Sequence, residues 1–156
     1  MAVTTFEGID AVRAAAGTHL GHSEWTTVTQ EQVNTFADAT GDHQWIHVDV
    51  ERATKGPFGA PIAHGFLTLS LISSMFDSAF VVDDVTMGLN YGLNRVRFPA
   101  PVHVGSRVRG HFTLQAYDPL DGGAQLAVLV EVECEGQEKP VCVAETLGRR
   151  YTVGDR

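Results

Sequence analysis

The chain has 156 residues, 44% of them hydrophobic and 19% charged, the profile of an ordinary globular protein with room for one sizeable core. With 11 Lys plus Arg against 19 Asp plus Glu, the formal charge is -8, which argues against a nucleic-acid partner, since that would want a basic face. An anionic small ligand stays open, because a few local arginines suffice to hold a phosphate.

In chain order, residues 8–16 carry the signals of a short helix and residues 22–28 those of a strand. A firmer helix is predicted over residues 29–40. Thr29 followed by Gln32 makes a capping box; Val33, Phe36, Ala37 and Thr40 share one face, and Gly41 supplies the stop. Asp49 is placed to cap another short helix running to Lys55, which Gly56-Pro57 ends. The loop over residues 56–61 then delivers the chain to His64. From residue 65 to residue 80 apolar residues recur nearly all round: Phe66, Leu67, Leu69, Leu71, Ile72, Met75, Phe76, Ala79 and Phe80. Thr68, Ser70, Ser73 and Ser74 interrupt this run, which is too short and too polar to cross a bilayer. A helix apolar on every side is expected at the centre of the molecule, wrapped by other elements.

The second half supplies the wrapper. Val108, Phe112, Leu114 and Ala116 alternate with polar neighbours, as do Leu126, Val128, Val130, Val132 and Cys134. This is the period of strands with one buried face. Asp118-Pro119, Asp121-Gly122-Gly123 and Glu135-Gly136 separate the strands, and runs at residues 90–98 and 141–153 complete a mostly antiparallel sheet. The expected class is α+β, a curved sheet around one central helix, with residues 1–156 as a single domain. Cys134 and Cys142 flank a turn with no Cys-x-x-Cys pattern, and are expected reduced and buried. The first residues, Met-Ala-Val-Thr-Thr-Phe-Glu, lack a basic and then apolar leader, so the expected location is the cytoplasm.

Chemistry concentrates just past the Gly41 stop. The segment Gly41-Asp42-His43-Gln44-Trp45-Ile46-His47 offers a carboxylate and an imidazole, and His64-Gly65-Phe66 opens the apolar helix. The free N–H groups and dipole of a helix N-terminus can hold a developing oxyanion, and losing such a donor costs about 3 to 4 kcal/mol of barrier. An acid/base pair facing that N-terminus suits the addition of water to, or its removal from, an activated double bond. One water would sit between Asp42 and His47, with His47 taking its proton and Asp42 protonating the alpha carbon. The reversed or shared assignment is equally open, because the reaction is reversible. An acid role for Asp42 requires a pKa above the ordinary value of about 3.9, which burial can supply. His43 and His47 have the spacing of a metal-binding pair on a helix, but Gln44 stands where a zinc protease has Glu, and no helix is expected right after Gly41. No metal is expected. Nucleophile-elbow, phosphate-loop and dinucleotide motifs are missing.

Taken together, Thr40-Gly41-Asp42, His47 and the run Gly59-Ala60-Pro61-Ile62-Ala63-His64-Gly65-Phe66 resemble the MaoC-like (R)-specific enoyl-CoA hydratases. Asn90-Tyr91-Gly92-Leu93-Asn94-Arg95-Val96-Arg97-Phe98, with Pro99-Ala100-Pro101 and Val104-Gly105, is similar to the same group. The resemblance extends from about residue 20 to about residue 150. It implies a hot-dog fold, a homodimer whose two sheets join, and hydration of trans-2-enoyl-CoA to (R)-3-hydroxyacyl-CoA. No cofactor is implied beyond the coenzyme A of the substrate itself. The family often has Asp-x-Asn-Pro-x-His where this chain has Gln44-Trp45, so Gln44 keeps an amide that can orient water, with a longer reach.

By that resemblance Asp42, His47, Gly65 and Gln44 are the candidate catalytic residues. His64, Phe66, Trp45, Phe58, Asn90, Arg95 and Arg97 are the candidate substrate contacts. Gly65 would give its N–H to the thioester oxygen, and His64 would chiefly support the loop. Arg95 and Arg97 share a strand face and could meet coenzyme A phosphates; Lys55, Arg107 and Arg109 are further candidates. Phe58, Phe66, Trp45 and Met87 could line an acyl tunnel. The same residues leave open a dehydratase acting on carrier-protein thioesters, a thioesterase in which Asp42 activates water against the carbonyl, and an acyl-binding protein without activity.

Overall fold

The computed structural model describes residues 3–152. Val153, the end of the last expected strand run, lies outside the described residues. The elements in chain order are β1 (Thr4–Phe6), α1 (Ile9–Val12), a 3-10 turn (Arg13–Ala15), β2 (His19–His22), β3 (Thr26–Thr27), α2 (Gln30–Thr40), α3 (Trp45–Val48), α4 (Val50–Thr54), α5 (Gly65–Ala79), β4 (Phe80–Val82), β5 (Met87–Arg97), β6 (Arg107–Leu120), β7 (Gly123–Cys134) and β8 (Cys142–Tyr151).

Five strands form an antiparallel sheet in the order β2-β6-β7-β8-β5, and β3 also pairs with β6. The period-two pattern is realised on its inner face. Val108, Phe112 and Leu114 of β6 are buried, as are Leu126, Val128, Val130, Val132 and Cys134 of β7. Ala116 departs from the pattern, because the β6–β7 register shifts between Leu114 and Ala116 and ends the strict alternation there. Gly110 lets the central helix come close: a Cβ there would lie 2.9 Å from the Phe112 ring and 3.2 Å from the Met75 sulfur. α5 lies across this face through Leu67, Ile72, Met75 and Ala79. The α+β class and the hot-dog arrangement, a curved sheet around one long helix, are what this chain forms.

Four local expectations need correction. The central helix is not wrapped on all sides: Phe66 is 71% exposed, and Ser70, Ser73 and Ser74 face outward. One flank of α5 instead borders an open groove of about 740 Å³, whose lining includes Leu69, Ser73, Phe76, Leu89, Asn90 and Leu93. The strand expected at residues 22–28 is two short strands, β2 and β3, with an irregular link in which Ser23 turns inward. Its hydroxyl accepts from the Gly110 N–H at 2.9 Å, and this bond replaces part of the ladder. A small parallel pair, β1 with β4, was not foreseen; it ties the N-terminal segment to the end of α5. A helix does follow Gly41 closely, since α3 starts at Trp45 after the turn.

The capping signals hold at the helix ends, except that the Thr29–Gln32 capping box is one-sided: the Gln32 side-chain oxygen is buried with no partner among the described residues. Thr29 Oγ1 accepts from the Gln32 N–H at 3.1 Å. Gly41 ends α2 at φ 82, where its N–H reaches the Ala37 carbonyl. That left-handed conformation is the one glycine adopts without strain. Asp49 caps α4 through the Arg52 N–H at 3.1 Å. Cys134 and Cys142 are free and buried. Burial raises both thiols, Cys142 to about 11, so neither is a reactive nucleophile.

Candidate active site

The site is assembled from three short pieces of chain: the turn after α2, the single turn of α3, and the start of α5. Gly41 sends the chain out of α2, and Asp42 folds back on it. The Asp42 Oδ1 accepts from the Gln44 N–H at 3.3 Å, a local turn that sets up α3. His47 then lies on the inner side of α3, 6% exposed. Its Nδ1 donates to the Ile62 carbonyl at 2.7 Å, which leaves Nε2 bare. The Gln30 amide donates to the His47 carbonyl at 2.8 Å and fixes the same turn from α2. The Ile62 N–H reaches the Ile46 carbonyl, so α3 is bound to residues 61–63 by both main chain and side chain.

His64 comes from the other direction. It is 3% exposed and stacks on His47, with ring centroids 3.9 Å apart and planes 23° apart. Its Nε2 donates to the Asp42 carbonyl at 2.9 Å, and the Phe36 ring lies against it at 4.9 Å. A carboxylate oxygen of Asp42 and one ring nitrogen each of His47 and His64 all lie within 4.8 Å of one another. Distance alone would allow a cation. Stacked rings, however, aim their lone pairs side by side, whereas a metal needs ligands converging on one point.

The electrostatics separate the two acid/base candidates. Burial pushes the His47 imidazole below its usual value, the Ile62 carbonyl and Asp42 favour its protonated form, and His64 acts with burial. The ring is therefore held neutral near pH 7, with its second nitrogen an acceptor. The burial expected for Asp42 is not found; its carboxylate is exposed in the chain, because the turn after Gly41 carries it outward. Beside them Gly65 is the first residue of α5, a 15-residue helix. Among the described residues no protein acceptor takes its N–H, as the helix geometry requires. A Cβ at Gly65 would lie 3.1 Å from the Phe98 ring, so the residue is small where the end of β5 comes closest.

The other sequence candidates divide. Gln44 stands at the N-cap position of α3 in the same turn as Asp42, its side chain exposed and making no capping bond. Phe66 faces Phe98 across the start of α5, ring centroids 6.2 Å apart. Trp45 shares α3 with His47, but its ring is taken by the Arg52 guanidinium at 4.2 Å and packs on Gly56. Phe58 is exposed on its loop and makes no ring contact with these residues among those described. Asn90 and Met87 line the groove beside α5 rather than the Asp42–His47 cluster. Of the basic candidates, Lys55 pairs with Glu51, Arg107 with Glu135 and Arg109 with Glu133. Arg95 and Arg97 are exposed and have no carboxylate partner among the described residues. Sequence reading missed Gln30, Phe98 and the Ile62 carbonyl. The first two read as a helix-start polar residue and a strand-end aromatic, and a backbone oxygen carries no sequence signal at all.

Comparison with known proteins identifies the family of this fold. The MaoC like domain family matches residues 11–135. The chain is 56% identical over 146 residues to 3-hydroxyacyl-thioester dehydratase Z of Mycobacterium tuberculosis, covering 93% of this chain and 97% of that one. Among solved structures, the monoamine oxidase regulatory protein of Archaeoglobus fulgidus superposes with a TM-score of 0.77 at 25% identity, over 99% of this chain and 100% of the other. The (R)-hydratase of A. caviae involved in PHA biosynthesis superposes with a TM-score of 0.70 at 21% identity, over 85% of this chain and 94% of that one, a likeness of fold. With the family match spanning most of its length, the chain belongs to the MaoC-like dehydratase family.

Proposed function

We propose that the protein is a hydro-lyase acting on thioesters, and specifically that it adds water reversibly to trans-2-enoyl-CoA to give (R)-3-hydroxyacyl-CoA. The observation that carries this reading is the meeting of the Asp42 carboxylate and a His47 ring nitrogen within 4.8 Å, next to a helix start whose Gly65 N–H is unspent. In the hydration direction the water oxygen bonds to C3 of the substrate while His47 Nε2 takes its proton. The C2–C3 double bond shifts its electrons toward the thioester, whose oxygen accepts the Gly65 N–H. The proton held on His47 then passes through the Asp42 carboxylate to C2, so both groups end in the state in which they began. Dehydration runs the same steps backward. A water held in place by two side chains attacks without the entropy cost of a free encounter. No cofactor enters these steps.

The handle is assigned to coenzyme A on the exposed Arg95 and Arg97 guanidiniums, which suit phosphates and sit at the end of β5 leading to Phe98 and Gly65. The acyl chain is assigned to the groove between α5 and β5. Pairing of two copies is part of the same reading. Among the described residues β5 is bonded on one side, to β8. Its open backbone edge calls for a second strand, with Tyr91 exposed on it at 56%, while Met87, Leu89 and Leu93 line the groove.

The test is the enoyl-thioester absorbance of crotonyl-CoA followed together with free thiol. Loss of the band without thiol, giving the (R)-3-hydroxybutyryl product, is expected. Thiol release would replace the reading with a thioesterase. Turnover only of carrier-bound enoyl chains would move the handle from coenzyme A to a carrier protein.

A further inference from the structure

The ring of His64 is placed at a cost. Its Nδ1 is buried with no partner, although the residue is 3% exposed, and a buried polar atom left unpaired destabilises the fold. A phenylalanine would fill the same slot against Phe36 and His47 without that penalty. The chain keeps a histidine whose useful groups are both turned to its catalytic candidates. The Nε2–H holds the carbonyl of Asp42 at 2.9 Å, and the ring face lies on His47 at 3.9 Å. His47 has no other aromatic neighbour among the described residues, and its opposite anchor is the Ile62 carbonyl. His64 is also the residue immediately before the Gly65 N–H. One side chain therefore sets the distance between the acid/base pair and its register with the helix start.

We propose that His64 is the positioning residue of the site, pinning the Asp42 peptide through Nε2–H and the His47 ring through stacking, so that stability is given up for alignment. This rests on Asp42 and His47 being the acid/base pair. Two groups facing His47 are titratable, His64 and Asp42, and of these His64 opposes protonation of the ring.

Three variants separate the contributions. His64→Phe keeps the ring and removes both nitrogens; His64→Gln keeps an amide N–H at the reach of Nε2; His64→Ala removes everything. For His64→Phe the melting temperature should stay the same or rise, while kcat on crotonyl-CoA falls at least tenfold and KM changes less than threefold. His64→Gln should recover a substantial part of kcat, and His64→Ala should be the slowest. Without substrate, the NMR titration midpoint of His47 should move to higher pH in His64→Phe, because one opposing group is gone. Wild-type kcat in His64→Phe would overturn the proposal. So would parallel loss of stability and activity in all three variants, or failure of both His64→Phe and His64→Gln to fold, since either makes the residue mere packing. The ligand-free titration keeps the two levels apart: if Asp42→Asn and His47→Gln are fully active, the site assignment has failed, whatever His64 does.

Discussion

The β6–β7 hairpin and the segment from Asp42 to Gly65 use the same residue chemistry for opposite ends. In the hairpin, alternate side chains enter a dry interior and most backbone groups are spent on a neighbouring strand; Phe112, Val130 and Val132 are fully buried. In the 42–65 segment, backbone carbonyls are spent on orienting two histidines, a buried nitrogen goes unpaired, and a helix N–H is left free. The first region is built for stability and the second for a reaction. Substitutions should therefore dissociate the two properties.

The largest expected effect lies in the hairpin. Phe112→Ala removes a fully buried ring touching Phe76 and Phe80, and should lower unfolding free energy by about 3 to 5 kcal/mol. Denaturant titration reads it directly, and turnover per folded molecule should be unchanged. In the site the pattern inverts. Asp42→Asn and His47→Gln should each reduce kcat at least about a hundredfold, the usual scale for positioned acid/base groups, with only a minor change in the denaturation midpoint. Equal damage to stability and activity in both regions would erase the contrast.

The β5 edge sharpens it further, because it is a strand that fails to bury itself. Tyr91→Lys, at an exposed position outside the groove lining, should leave the chain folded while weakening self-association at least about tenfold by like-charge repulsion across the interface. Sedimentation velocity over a concentration series measures this; an unchanged monomeric protein before and after the substitution would remove β5 as an interface.

The smallest effect is on pH. The His47 imidazole is held below its usual value of 6.5, mainly by burial, with the neighbouring His64 adding to it. The unfolded chain then binds more protons than the folded one just below that value, so stability falls as pH drops from 6.5 toward the depressed folded value. The unfolding midpoint measured from pH 7.5 to 5.5 should decline, and His47→Gln should flatten part of that decline. A midpoint rising through the same range would contradict the sign.

Much of this contrast was legible in the residues. The strands of β6 and β7 declared themselves by period two, because one face is dry along their length. α2 announced both ends through Thr29, Gln32 and Gly41. Asp42, His47 and Gly65 were readable because side-chain type and chain punctuation carry that signal. Other features were not legible for equally physical reasons. The open flank of α5 escaped because Leu69 and Phe76 look alike in a sequence whether a sheet or a groove lies beside them. The exposure of Asp42 follows from the direction of a turn, and the locking of His47 depends on the Ile62 carbonyl, which every residue type would supply equally. Gln30 reached the site only through a tertiary approach of α2 to α3.

The most direct measurement is NMR of the product formed from crotonyl-CoA in deuterium oxide. Addition across the double bond by the Asp42–His47 pair should give one solvent deuteron at C2 and an (R)-hydroxyl at C3, with both absent from Asp42→Asn and His47→Gln. Free coenzyme A with an unlabelled C2 would show attack at the carbonyl instead, and would contradict the assignment.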